Sequence, residues 1–182
     1  LNFPVEPAAG FITARAIADT GGAFANSVVI NAGNKSGVRK GQATITGEGL
    51  VGRVTDVGAR SSRVLLITDL NSRIPVVLQS SQARAILAGD NTHRPKLIHL
   101  SPGASISQGD RIVTSGHGGA FPPGLPVGLV ASVNEKGINI EPFVQRSRVT
   151  YLRILDYGLT GIVETPPIRG LPASTGNKKT RN

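Results

Sequence analysis

Ser115 and His117 stand two residues apart in "TSGHGGAFPPGLPVG" (114–128), a stretch holding five glycines and three prolines. On an extended chain, residues i and i+2 share a face, so the two side chains could form a nucleophile–base pair. Such a pair also needs an acid to orient the imidazole. The nearest upstream carboxylate is Asp110, five residues before Ser115. That is about 16 Å on a chain rising ~3.3 Å per residue. No GxSxG nucleophile elbow surrounds the serine. A turn between strands is therefore the preferred reading, with a Ser115/His117 hydrolase as its alternative. His93, His99 and His117 lack the HxH or HxxxH spacing that places two imidazoles on one ion. The chain has no cysteine, which excludes disulfides and thiol chemistry. No metal and no cofactor is expected.

The composition of the stretch speaks for backbone shape. Gly116, Gly118, Gly119 and Gly124 permit angles closed to other residues, while Pro122, Pro123 and Pro126 remove amide donors and end strand pairing. These seven residues are read as a structural loop. The elements around it are short runs rich in Val, Ile, Leu and Thr, such as "SVVINAG" (27–33), "SRVLLITD" (62–69) and "DRIVTSG" (110–116), each bounded by turn residues. That spacing predicts an all-β chain of sandwich or barrel type. Only "SSQARAILAG" (80–89) could hold a short helix.

An internal repeat is visible. Val29 falls on Leu97, Val38 on Ile106, Gly41 on Gly109 and Thr46 on Thr114, each pair 68 apart. After an eight-residue insertion, Val51-Gly52 falls on Val127-Gly128 and Val54 on Val130. "ARAI" occurs at 14–17 and 83–86, and Arg60-Ser61-Ser62-Arg63-Val64 echoes Arg146-Ser147-Arg148-Val149. A collinear series of this kind predicts two copies of one β unit. The expectation is two small similar β-barrel subdomains, 11–72 and 73–158, with a late strand free to return to the first. The insertion lies inside 114–128, a natural place for specialisation.

The formal charge of +9 suggests acidic partners, but its distribution argues against nucleic acid. The last stretch holds Arg169, Lys178, Lys179 and Arg181 against Glu164, and elsewhere the basic residues are scattered. None of the seven aromatics sits in a basic cluster, so the stacking platform of a nucleic-acid-binding barrel is missing. Residues 159–182 are Pro- and Lys-rich and are expected to form a disordered tail, dispensable for folding. The chain opens Leu1-Asn2-Phe3-Pro4 and contains no methionine, so an upstream segment, with any membrane anchor, is expected.

The ordered segments "LITDLNSRIPV" (66–76), "TSGHGGAFPPGLPVG" (114–128) and "RVTYLRILDYG" (148–158) resemble the extracytoplasmic part of the bacterial rod-shape-determining MreC family. The resemblance runs from about Phe11 to Gly158. It implies two small β-barrels and a non-enzymatic scaffold of the cell-elongation machinery, at the periplasmic face of the inner membrane. The implied partners are a second copy of the chain and the elongation-specific penicillin-binding transpeptidase. MreB, MreD and RodA are implied as members of the same shape complex. The implied membrane helix and coiled coil would lie upstream. The family motif also supplies Phe121, Leu125 and Val127 as candidate partner contacts, with burial in a barrel core as the competing reading. Binding through incompletely closed barrel edges is the expected mode.

Overall fold

The computed structural model describes residues 10–20 and 26–156; the expected tail, 159–182, lies outside the described residues. The strands run β1 (Gly10–Asp19), β2 (Ser27–Ile30), β3 (Ala43–Ile45), β4 (Leu50–Val57), β5 (Ser62–Leu66) and β6 (Arg73–Leu78). They continue with β7 (Arg84–Ala88), β8 (Lys96–Ile98), β9 (Arg111–Thr114), β10 (Pro126–Asn134), β11 (Gly137–Pro142) and β12 (Tyr151–Asp156). They form two closed barrels, β1-β12-β3-β4-β5-β2 and β10-β11-β8-β7-β6-β9, with antiparallel pairing throughout. The last described strand thus crosses back, and β12 seals the first barrel between β1 and β3.

Each barrel is built by alternation. Ser62, Val64 and Leu66 of β5 point inward while Arg63 is exposed; Ile74, Val76 and Leu78 of β6 are buried while Arg73 is exposed. With a side-chain period of two, one face of each strand lines the core and the other meets solvent. Between "SSQ" and Gly89 the chain is a turn followed by β7, not the helix its alanines suggested. Ala85 and Leu87 alternate inward there, and barrel burial overrides the weak helical preference of alanine.

The repeat survives as hydrogen bonding. Gly41 N donates to Val54 O at 2.8 Å, and Gly109 N donates to Val130 O at 2.8 Å. The Gln42 side chain accepts from Arg39 N at 2.8 Å, and Asp110 accepts from Ser107 N at 2.9 Å. Ile67 N donates to Val51 O, and Phe143 N donates to Val127 O. The bulge after Val54 recurs after Val130. Strand order extends the match to every element: β12 plays in the first barrel the part of β6 in the second.

Three sequence matches need correction. Leu97 pairs with Ile138, whose counterpart Ser62 pairs with Ile30, so Leu97 corresponds to the buried Ile30 rather than Val29. A one-residue shift flips every side chain to the other face, so burial selects the match. The "ARAI" echo is displaced by two, since pairing sets Ala14 against Ala85. Arg60–Val64 leads into β5, whereas Arg146–Arg148 forms a 3-10 turn between β11 and β12, so that echo is not structural. The expected open edges are also corrected: both barrels close, which leaves no barrel strand free for addition.

Candidate functional site

The 114–128 loop folds back on Thr114. The Thr114 hydroxyl donates to Pro122 O at 2.5 Å and accepts from Leu125 N at 2.9 Å, while Gly124 N donates to Thr114 O at 2.8 Å. Gly116, Gly118, Gly119 and Gly124 all hold φ between 71° and 83°, the left-handed region where a Cβ is strained. A Cβ on Gly116 would come within 2.8 Å of Pro123, so glycine and proline close the loop together. Pro122 and Pro126 are buried at its base and Pro123 is exposed. Ser115 Oγ accepts the backbone N–H of His117 at 3.2 Å, the bond of a tight turn, and the His117 side chain is exposed. Asp110, the acid considered above, is committed to the amide of Ser107. Among the described residues no group of three His, Cys, Asp or Glu side chains could hold a metal ion.

Phe121, Leu125 and Val127 are all buried, at 5, 9 and 0% exposure. While the barrel is closed they offer no surface to a partner. They belong to one apolar cluster that runs from the interior of the second barrel to Ala43, Ile45, Leu50, Ile67 and Leu155 of the first barrel and its linker. The inserted loop is therefore a strut at the junction between barrels. Gly49, in the first barrel's equivalent turn, meets it directly: a Cβ there would lie 2.5 Å from Pro126 O. The two copies touch through corresponding turns, and of the enlarged loop Phe121 and Leu125 turn into the shared apolar cluster while residues 117–120 face solvent.

A second junction lies in the linker 67–72, within the "LITDLNSRIPV" motif. Asp69 is fully buried; its Oδ2 accepts from Asn26 N at 2.6 Å and its Oδ1 from Asn71 N at 2.8 Å and Asn71 Nδ2 at 3.1 Å. Asn91 closes the other side, accepting from Leu70 N at 2.9 Å and Asn26 Nδ2 at 3.3 Å. Gly89 packs so tightly that a Cβ would sit 1.9 Å from Asp69 O. Arg146, in the connection to β12, donates to Asn26 Oδ1 at 2.7 Å and makes a two-pronged ion pair with Asp19. Hydrogen bonding to Asp19 raises its already high pKa further, against a smaller opposing effect of burial. In the sequence Asp69 is one residue of the motif 66–76, with no role of its own. The Asp-x-Asn spacing of an Asx turn was the available signal. Asn26, Asn91 and Arg146 carry no local signal, because only the fold brings them to Asp69 and Asp19.

Among the described residues, the large apolar side chains facing solvent are Leu70 of that linker and a few on the strands. Leu129 and Val133 are exposed on β10, with Arg111 beside them stacking 5.0 Å from the centroid of Phe143. Phe11, Ile17 and Tyr151 are exposed on β1 and β12. This two-barrel arrangement matches known proteins. The family profile for "Rod shape-determining protein MreC, barrel core" covers residues 16–156. The chain belongs to the MreC family. The cell shape-determining protein MreC of Cereibacter sphaeroides is 43% identical over 83% of this chain and 50% of its own length. That of Caulobacter vibrioides is 41% identical over 85% of this chain and 45% of its own length. The chain thus spans about half the length of these curated relatives. The crystal structure of MreC from Pseudomonas aeruginosa superposes with a TM-score of 0.74 at 30% identity, over 80% of this chain and 98% of that one. MreC from the Helicobacter pylori complex with PBP2 shares the fold, with a TM-score of 0.63 at 16% identity over 81% of this chain and 99% of that one.

Proposed function

We propose that this chain is the two-barrel part of a non-enzymatic cell-shape scaffold at the extracytoplasmic face of the bacterial inner membrane. It associates with further copies of itself and binds the elongation-specific penicillin-binding transpeptidase, working beside MreB, MreD and RodA. Membership of the MreC family carries this reading, and the relative solved in complex with PBP2 supports the choice of partner. The turn geometry of Ser115 and His117 favours a scaffold over a hydrolase.

Closed barrels bind through outer faces and loops. In the second barrel the apolar groups available are Leu129 and Val133, with Leu70 exposed in the linker. The buried junction holds the two barrels as one unit, so contacts on both can be made without ordering a hinge first. Titration of the chain with the soluble transpeptidase tests the proposal. Binding is expected, and Leu129→Asp with Val133→Asp should abolish it while leaving the unfolding midpoint unchanged. Absence of binding by the unaltered chain, with none recovered by crosslinking of the membrane-anchored protein in cells, would refute the assignment.

A further inference from the structure

The duplication supplies an internal control for surface features, because the fold builds the same strand pair twice. The β12–β1 ribbon of the first barrel corresponds to β6–β7 of the second. Pairing with β3 and β9 matches Arg153 to Val77, and with it Tyr151 to Pro75. The cross-strand partners match Thr13 to Arg84 and Arg15 to Ile86. Pro75, Val77 and Ile86 are half-buried, the ordinary outer face of a small barrel. Their counterparts are not ordinary. Tyr151 is 64% exposed, Phe11 55% and Ile17 49%, with exposed Arg15 and Arg153 set between them. Phe11 matches Gln82, which lies in the turn before β7, since β1 runs to ten residues and β7 to five. The barrel fold alone therefore does not call for this surface.

Its chemistry is amphipathic and cationic. The Arg153 guanidinium lies 5.0 Å over the Phe11 ring, which leaves its charge in solvent. Neither Arg15 nor Arg153 has a carboxylate partner among the described residues. The acids at the two ends of the ribbon are already neutralised, Asp156 by Arg39 and Asp19 by Arg146. Arg148 is exposed in the turn next to Thr150, whose carbonyl accepts from Ala16 N. Among the described residues the face presents aromatic and aliphatic groups alternating with arginines that have no carboxylate partner, and no free acid.

The geometry points to the outer face of β1 and β12 as a docking surface for a bilayer rich in anionic phospholipid headgroups. Tyrosine, phenylalanine and arginine each place an apolar body beside a polar zone, which suits the headgroup layer. Its described part is small beside a standard protein interface. From Phe11 to Ile17 it runs about 20 Å, and it offers about six side chains where a stable interface uses roughly 20–30 residues a side. An extended anionic surface needs no such area, because the chain's charge of +9 adds to the attraction.

Flotation of the 182-residue chain with phosphatidylcholine vesicles, with and without phosphatidylglycerol, tests this. Binding should require phosphatidylglycerol and weaken as salt is raised. Arg15→Gln and Arg153→Gln should each weaken it about five-fold, and about thirty-fold together. Phe11→Ser with Tyr151→Ser should weaken it as well. Arg84→Gln, on the corresponding ribbon of the second barrel, should leave it unchanged. These are exposed positions, so unfolding midpoints should not move; if the aromatic pair fails to fold, the arginine variants and the salt titration still decide. Lack of phosphatidylglycerol-dependent binding, or an equal loss from Arg84→Gln, would overturn the proposal. So would loss of self-association by the arginine variants in the absence of lipid, which would assign the face to a second copy of the chain.

Discussion

Asp69 shows how one side chain can fasten the linker between two barrels to the first of them. Its carboxylate is the acceptor for two backbone amides, that of Asn26 before β2 and that of Asn71 in the linker itself. Asp69→Ala takes the acceptor away from the part-buried amides of Asn26 and Asn71. A buried unsatisfied donor costs about 1–3 kcal/mol, and with water able to reach the half-buried pair a loss of about 1–2 kcal/mol is expected in urea denaturation. Asp69→Asn, which keeps one carbonyl oxygen, should cost less. The same residue marks the reach of local reading. The turn it opens is visible as Asp-x-Asn, but its bond to Asn26 spans 43 positions, and no sequence window contains both ends.

At the scale of the element, the loop 114–128 changes meaning between sequence and structure. Its glycine content was legible, because positive φ has a residue preference. Phe121, Leu125 and Val127 were ambiguous, because an apolar side chain on a loop looks the same whether it faces solvent or fills a gap. The structure buries all three and sets the loop against Gly49 of the other barrel. Shortening the loop to the first copy's pattern should therefore damage folding rather than only binding. Phe121→Ala should cost about 3–5 kcal/mol, the range for emptying a buried aromatic site. An unfolding midpoint close to that of the unaltered chain would return Phe121 to the surface.

At the scale of the molecule, the chain passes from the first barrel to the second and comes back. β12 supplies Leu152 and Ile154 to the first core and Leu155 to the apolar cluster shared with the second barrel. A chain ending at Thr150 should lose hydrogen-exchange protection across β1–β5 and keep most of it across β6–β11. A chain ending at Gly158, which retains β12, serves as the control. Equal loss in both barrels would mean that they unfold as a single cooperative unit.

The residues by themselves determined the all-β class, the duplication and the family. Strand alternation, turn composition and collinear repeats are local or periodic properties, and they survive in one dimension. They also placed the inserted loop at the correct turn of the second copy. Only the tertiary structure decided the register of β8, the closure of both barrels and the position of β12. Those depend on which faces are buried together, and on pairings such as Gly10 with Asp156 that join the two ends of the described chain. Burial is a property of the assembled surface, so Phe121 could be assigned to the junction, and Phe11 and Tyr151 to solvent, only after the barrels had closed.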